Sequence, residues 1–364
     1  MTEIWVVQPY IPAYRVAFFE SLRSSLEASG VNLRVVAGRP DRSQAERGDA
    51  VSPPWLIQVD GRRVSALGRS ATLTTTRKYW QAADAVIVPH MGSSFDALSA
   101  LSRKSQLRVG VWGHIASYTA TPNPIDSLIE RWQLRRADHI FAYTPSGANF
   151  AIAAGADAGK VTTVMNAIDT TQLKNDLDQL DTAALEQFRR NTMLPDGPFV
   201  AYLGALDTSK RVDLLAGALE VLWAEHPKIH FIVGGQGQDA SLLEPAVRRG
   251  QATMMGHVGG KTKAAILKCS KAIANPGRVG LLAVDALVAG VPVVSTKWPF
   301  HAPEIEYLTE GESLYLTEPK PESFAATIVD VVNSQNRQGA ASATYPTLQA
   351  MVRNFASGIH KLLN

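Results

Sequence analysis

The chain has 364 residues, long for one domain and suited to two of roughly 100–200 residues each. A hydrophobic content of 46% and a charged content of 19% describe an ordinary globular protein with ample core. A net charge of +3 is too weakly basic to indicate a nucleic-acid partner, and one cysteine, Cys269, excludes an internal disulfide and fits a reducing compartment. The start, MTEIWVVQPYIP, lacks the basic and apolar stretches of a signal peptide, and no run of about 18 apolar residues is present, so a cytoplasmic protein is expected.

The first half alternates strand and helix. Strands are expected at Ile4–Gln8, Val31–Ala37, Trp55–Val59, Ala85–Pro89, Arg108–Trp112, His139–Tyr143 and Lys160–Met165. Helices are expected at Tyr14–Glu27, Leu73–Ala82, Phe95–Arg103, Ile125–Arg136 and Ser146–Ala154; the first carries apolar residues at Val16, Phe19, Leu22 and Leu26. Asn166–Asp169 is the join, followed by polar, helix-prone sequence over Thr170–Thr192. The alternation restarts with strands at Phe199–Leu203, Ile229–Val233, Ala252–Met255 and Ala272–Ala274, and helices at Asp213–Glu225, Ser241–Arg249, Lys263–Lys268 and Glu322–Val332. Asn333–Pro346 reads as a loop before a last amphipathic helix over Thr347–Leu363. Alternation at this spacing predicts mostly parallel, doubly wound sheets.

The chemistry concentrates in Asn275–Thr296. Pro276–Gly280 is a glycine-containing turn, a helix is expected over Leu281–Ala289, Gly290 ends it, and Val291–Val294 is the next strand. A turn feeding a helix start leaves the backbone N–H groups of Gly280, Leu281 and Leu282 available to an anion. Asp285 is the only acid in this apolar run, and an unpaired buried carboxylate is costly, so it needs a polar partner or open space. The plainer alternative is an ordinary αβ unit of a parallel sheet.

With Gly277, Gly280-Leu281 and Asp285-Ala286 in register, this segment resembles the donor-binding segment of retaining GT-B glycosyltransferases of family 4, E-G-F-G-L-x-x-x-E-A. The second acid is kept as Asp285, and Gly277 stands where the first would be. The resemblance extends along the chain. Val164–Asp169 is similar to P-N-G-V-D, with Met165 in place of proline. Gly204, Ala205 and Lys210 are similar to G-R-L-x-x-x-K, with Ala205 in place of arginine. Ile232–Gly237 matches I-x-G-x-G, and Pro303-Glu304-Ile305 with Gly311 resembles P-E-I-x-x-x-G.

The resemblance implies an α/β, GT-B fold: two Rossmann-like doubly wound domains facing a central cleft, with the C-terminal helix crossing back to the first. The expected domains are residues 1–169 plus 347–364 on the acceptor side and residues 170–346 binding the nucleotide sugar. It implies transfer of a sugar, with retention, to a glycan, lipid-linked or small-molecule acceptor. Lys210 would neutralise the leaving diphosphate and His114 would line the sugar pocket, as the two catalytic candidates. Gly204, Gly277, Gly280, Leu281, Leu282 and Asp285 would bind the donor. Arg15, His90 and Ser93 are candidates for acceptor or phosphate contact, and His301 is a weaker one. For each, a solvated or capping role is the plainer alternative. Arg278, Arg211 and Lys297 are candidates to replace the charge lost at Ala205.

No Cys/His cluster has ligand spacing, so neither metal nor cofactor is expected, and Asp176-Leu177-Asp178 reads as chance. Arg62-Arg63, Arg77-Lys78, Arg103-Lys104 and Arg135-Arg136 make the first half basic, either a solvated face or a peripheral contact with the inner face of a membrane. Two alternatives stay open, a non-catalytic subunit of the same fold and a nucleotide-sugar epimerase. The missing carboxylate at Gly277 leads to the expectation of a donor without the usual hexose hydroxyl pattern, or of a pocket enlarged for a bulkier substituent.

Overall fold

The structure is a computed structural model and describes the whole chain except residues 41–44, 46–47, 67–68, 103–106, 117, 119–122 and 335–343; for residues 62–66 and 69–73 it describes the backbone only. The chain divides into two compact units, Met1–Ile168 with Thr347–Asn364, and Asp169–Pro346.

The first unit contains β1 (Thr2–Gln8), α1 (Val16–Glu27), β2 (Val31–Ala37), β3 (Leu56–Gln58), β4 (Gly61–Ala66), β5 (Arg69–Thr74), α2 (Arg77–Trp80), β6 (Ala85–Pro89), α3 (Phe95–Ser102), β7 (Arg108–Gly113), α4 (Pro124–Arg136), β8 (His139–Ala142), α5 (Pro145–Ala153) and β9 (Val161–Thr163). Seven strands form a parallel sheet in the order β3-β2-β1-β6-β7-β8-β9. The order reverses between β1 and β6, so the loops leaving these strands open a crevice at their carboxyl ends. The apolar runs of β1 and β6 are buried continuously, as a sheet covered on both faces requires.

The second unit contains α6 (Thr170–Asp178), α7 (Thr182–Asn191), β10 (Phe199–Leu203), α8 (Val212–Glu225), β11 (His230–Gly234), α9 (Glu244–Arg248), β12 (Ala252–Gly256), α10 (Gly260–Cys269), β13 (Ser270–Ala274), α11 (Leu282–Ala289), β14 (Val293–Thr296), β15 (Leu314–Thr317) and α12 (Pro321–Asn333). Its parallel sheet runs β12-β11-β10-β13-β14-β15, the doubly wound order with its reversal between β10 and β13. The polar join is two helices, each started by an aspartate whose carboxylate accepts a backbone N–H: Asp169 from Gln172 and Asp181 from Ala184.

The last helix, α13 (Leu348–Leu363), belongs to the first unit. Phe355 stacks on Phe141 at 4.5 Å and meets Trp112 at 4.9 Å and Phe18 at 5.3 Å, joining α13 to β7, β8 and α1. Gly358 permits this approach, because a Cβ there would lie 2.6 Å from the Phe141 ring.

Three expectations need correction. Leu73–Ala82 is not one helix: β4 and β5 form an antiparallel hairpin from Gly61↔Thr74 to Ala66↔Arg69, and only Arg77–Trp80 is helical. The β-branched run Thr72, Thr74, Thr75 and Thr76 favours an extended chain over a helix. The strand expected over Lys160–Met165 stops at Thr163, and Met165 takes a left-handed φ of 58° that no strand continues. The strand β15 and the 3₁₀ turn Pro303–Tyr307 were not anticipated, because each is too short for periodicity to register.

Phe355→Ala removes the ring that Phe18, Trp112 and Phe141 share, so it should cost unit 1 about 3–5 kcal/mol. Urea unfolding of the full chain checks this. A loss under about 1 kcal/mol would show that α13 is only loosely held.

Candidate functional site

In the second unit, the exits of β10 and β13 meet at the point where the sheet order reverses. Gly204 leaves β10 with a φ of +147°, and its N–H donates to the Gly234 carbonyl at 3.0 Å. Lys210 fills the space beside Gly204, its Cε 3.3 Å from where a Cβ would stand. Ala205 supplies no charge, and its carbonyl accepts from the buried Tyr202 hydroxyl at 2.6 Å. Asp207 caps the turn Thr208–Lys210 by accepting from the Ser209 N–H at 3.0 Å.

This turn is tied to Pro276–Gly280 in both directions. Lys210 Nζ donates to the Arg278 carbonyl at 2.5 Å, and the Arg278 N–H donates to the Ser209 carbonyl at 2.8 Å. A Cβ on Gly277 would lie 2.5 Å from the Ser209 carbonyl oxygen and 2.6 Å from Lys210 Cα. Position 277 has no room for a side chain unless the 208–210 backbone moves. Its glycine is thus explained by packing, a constraint that sequence reading alone did not see.

The three candidate cations are placed differently. Arg211, in a left-handed conformation before α8, holds Asp213 with two nitrogens and lies over the Trp298 ring at 5.1 Å. Lys297 pairs with Glu318 on the surface at 2.8 Å. Arg278 lies in the turn itself, where its Nε donates to the Phe300 carbonyl at 3.2 Å.

His301 fastens the same turn from a third side. Its Nδ1 accepts from the Val279 N–H at 3.1 Å and its Nε2 sits 2.9 Å from the Thr296 carbonyl. Accepting at Nδ1 places the proton on Nε2, the neutral tautomer that donates to Thr296. Burial, opposed by that carbonyl and reinforced by the charges of Lys210 and Arg278, holds the His301 pKa below the ordinary histidine value.

Beyond the turn, α11 starts without a side-chain cap. Among the described residues, the N–H groups of Gly280, Leu281 and Leu282 have no acceptor, as expected at a helix start. Asp285 is buried and receives Lys263 Nζ on Oδ1 at 2.7 Å. Lys263 is the residue that sequence reading missed. It was visible only as the polar beginning of α10, and nothing in linear order aims it at an acid 22 positions on.

The first-unit candidates gather at the carboxyl ends of β6 and β7. His90 Nε2 donates to the Glu130 carbonyl at 3.2 Å, and burial, with a smaller contribution from His114, lowers its pKa to about 4. The loop after His90, a candidate for phosphate or acceptor contact with a plain helix cap as the alternative, has two of its amides occupied by α4. The Met91 N–H donates to Gln133 Oε1 at 3.2 Å and the Gly92 N–H to Glu130 Oε1 at 3.1 Å. Burial raises the Glu130 pKa, opposed by that Gly92 hydrogen bond. The helix cap here is Ser94, accepting from the Ala97 N–H at 3.2 Å, while Ser93 stands beside it.

His114 meets the Tyr143 ring edge-on at 4.9 Å and Tyr118 at 6.3 Å. Arg15 is buried, its guanidinium 5.1 Å from the Trp112 ring and 5.4 Å from Tyr143, with Nη1 3.8 Å from Met351 Sδ. It binds the aromatic core to α13, an arrangement that leaves little of it for an acceptor. Among the described residues no cluster of three metal-ligand side chains occurs, and no helix is long and apolar enough to cross a membrane. Asp176 accepts from Gln172 within α6. Arg103 and Lys104 lie outside the described residues, as do the side chains of Arg62 and Arg63.

Two family models match the chain: a glycosyl transferase 4-like domain over residues 16–167, and glycosyl transferases group 1 over residues 197–334. No curated protein matches it by sequence. Among solved structures, it is similar to Anabaena Alr3699/HepE in complex with UDP, at 14% identity over 99% of this chain and 100% of that one, with a TM-score of 0.70. A glycosyltransferase from Rickettsia africae is 13% identical over 99% and 98%, with a TM-score of 0.69. A UDP-GlcNAc 2-epimerase from Methanocaldococcus jannaschii is 14% identical over 99% and 100%, with a TM-score of 0.61.

Forcing a methyl group against the Ser209–Lys210 backbone should make Gly277→Ala cost about 1–3 kcal/mol. Gly280→Ala, whose Cβ meets only the Ala302 methyl at 3.6 Å, should stay within about 0.5 kcal/mol. Equal effects in thermal unfolding would contradict this account. The acid response follows from the histidines. His90, His139, His230 and His301 all have folded pKa values below 6.5, so the unfolded chain takes up protons first as pH falls. Stability should therefore drop from pH 6.5 downward, through the value of about 4 that His90 and His139 share. A melting temperature flat across that window would overturn it.

Proposed function

Since this chain belongs to the family-4-like glycosyltransferases of the GT-B fold, we propose that its second unit binds the nucleotide-sugar donor at the joined exits of β10 and β13. The observation that carries this reading is the cluster of Lys210, the open Gly280–Leu282 amides and Asp285 at one topological switch point. The UDP complex of the similar Anabaena protein supports the same class of ligand.

In this reading the leaving diphosphate lies against the amides at the start of α11, where the helix dipole favours negative charge. Lys210 swings from the Arg278 carbonyl to the diphosphate as a point charge. Asp285 keeps Lys263 on one carboxylate oxygen and takes ribose hydroxyls on the other. The transfer retains anomeric configuration, and the departing phosphate itself helps to deprotonate the acceptor. The protein then contributes positioning and charge stabilisation, without a catalytic base or a metal. His114 lines the sugar pocket in this scheme. The acceptor is a glycan, lipid-linked or small molecule, met in the cytoplasm.

Similarity to an epimerase keeps a second reading in view, at a lower TM-score than the glycosyltransferase neighbours. Incubation with a panel of nucleotide sugars separates the two: transfer releases nucleoside diphosphate and epimerisation changes the sugar. Nucleotide binding without either product would point to a site that has lost its chemistry.

Asp285→Ala should weaken nucleoside diphosphate binding by about 1–3 kcal/mol, the scale of hydrogen bonds to a charged group. Calorimetry on the folded variant checks this, and unchanged affinity would remove Asp285 from the site. Turnover should also survive EDTA. Loss restored by Mg²⁺ or Mn²⁺ would show that a cation shares the work assigned to Lys210.

A further inference from the structure

The carbonyl that accepts from Lys210 has a second donor. Asn275 Nδ2 donates to the same Arg278 oxygen at 3.3 Å, beside Lys210 Nζ at 2.5 Å. Two donors fill the two lone pairs of a carbonyl. The N–H of this peptide group belongs to Val279, and it donates to His301 Nδ1 at 3.1 Å. The peptide between Arg278 and Val279 is thus held at both ends, immediately before the amides of Gly280, Leu281 and Leu282.

Asn275 is fixed for this contact. It lies at the exit of β13 and is fully buried. Its N–H donates to the Val294 carbonyl at 3.0 Å, and its own carbonyl accepts from Ser295 Oγ at 2.7 Å. The neighbouring strand β14 therefore holds its backbone from both sides. The side chain is an uneven fit: its Oδ1 is buried and, among the described residues, meets no donor. A buried amide satisfied at one end only contributes less to stability than an apolar side chain of similar size. Stability therefore does not account for an asparagine here, whereas the Nδ2 bond to the Arg278 carbonyl does.

The lysine shows what that bond is for. In the donor-site reading given above, Lys210 leaves the Arg278 carbonyl to reach a diphosphate. A buried carbonyl stripped of its donors opposes such a move. We propose that Asn275 is a positioning residue for Lys210, keeping the Arg278 carbonyl satisfied while the ammonium transfers to the diphosphate. With His301 on the adjoining N–H, the peptide stays in place and the amides after it keep their aim. The inference rests on the donor-site reading and adds to it a residue that acts through the lysine.

The test is a double-mutant cycle on the full chain. Calorimetry with UDP, GDP and ADP first identifies the nucleoside diphosphate bound most tightly, and that nucleotide is the probe. When Asn275 alone is removed, Lys210 still covers the carbonyl in the free protein. Asn275→Ala should therefore weaken binding by about fivefold or more while moving the melting temperature little. With Lys210→Ala in place, the carbonyl depends on Asn275 in the free and the bound protein alike. Adding Asn275→Ala should then lower the melting temperature clearly, yet change affinity by less than about twofold. The cost of losing Asn275 moves from binding to folding. Asn275→Leu, with similar branching and no donor, replaces Asn275→Ala if the smaller side chain unfolds the unit. If the double variant does not fold, Lys210→Gln, which keeps a donor on the carbonyl, replaces Lys210→Ala, and again no further loss of affinity is expected. The proposal is overturned if loss of Asn275 leaves affinity unchanged, or weakens binding equally with and without Lys210, as a purely structural residue would. A wild type that binds no nucleoside diphosphate, or a Lys210→Ala variant that binds as tightly as the wild type, would refute the donor-site reading itself and this inference with it.

Discussion

The backbone of Ser209 and Lys210 lies so close to Gly277 that no side chain fits between them, and the geometry of the second unit's site depends on this contact. It joins two strand exits 68 residues apart in sequence into one rigid piece. Within that piece Lys210 reaches the Arg278 carbonyl, and the Arg278 N–H returns to Ser209. The glycine that breaks the family's E-x7-E pattern is the residue that permits the interlock. A position that looks like a loss when read along the chain is a steric requirement when read across the sheet.

Charge is arranged around this piece with equal economy. Lys210 and Arg278 are both cationic, and His301 beside them holds Val279 only while its Nδ1 carries no proton. Its depressed pKa keeps the imidazole neutral, so the clamp adds no third charge and loses no hydrogen bond. The first unit uses the same device, with His90 half-buried, neutral and tied to the Glu130 carbonyl at a strand exit. Asp285 is the counterweight, a buried carboxylate made tolerable by Lys263.

Helix α4 shows how one element serves two environments. Its Asn123 cap and Pro124 start it, and Arg135 and Arg136 suit the negative end of its dipole. Its inward side chains close the amides of the Met91–Gly92 loop, which otherwise resembles an anion site. That closure distinguishes the two sheets, because the helix start after β13 keeps its amides open while the loop after β6 does not.

The sequence by itself determined the two parallel sheets, because buried strands appear as apolar runs at regular spacing and helices as a 3.6-residue repeat. It determined nearly every strand of both sheets and the glycine turn before α11, since these depend on local residue types. It also pointed to Asp285 as an acid needing a partner. Tertiary structure decided who that partner is, because Lys263 reaches Asp285 from another helix. It decided that Gly277 is forced by the Ser209–Lys210 backbone, that Glu130 and Gln133 fill the loop after β6, and that Arg15 is buried among aromatic rings. Local pattern lacks these facts because each is a contact between segments far apart in the chain, and only packing fixes which of them meet.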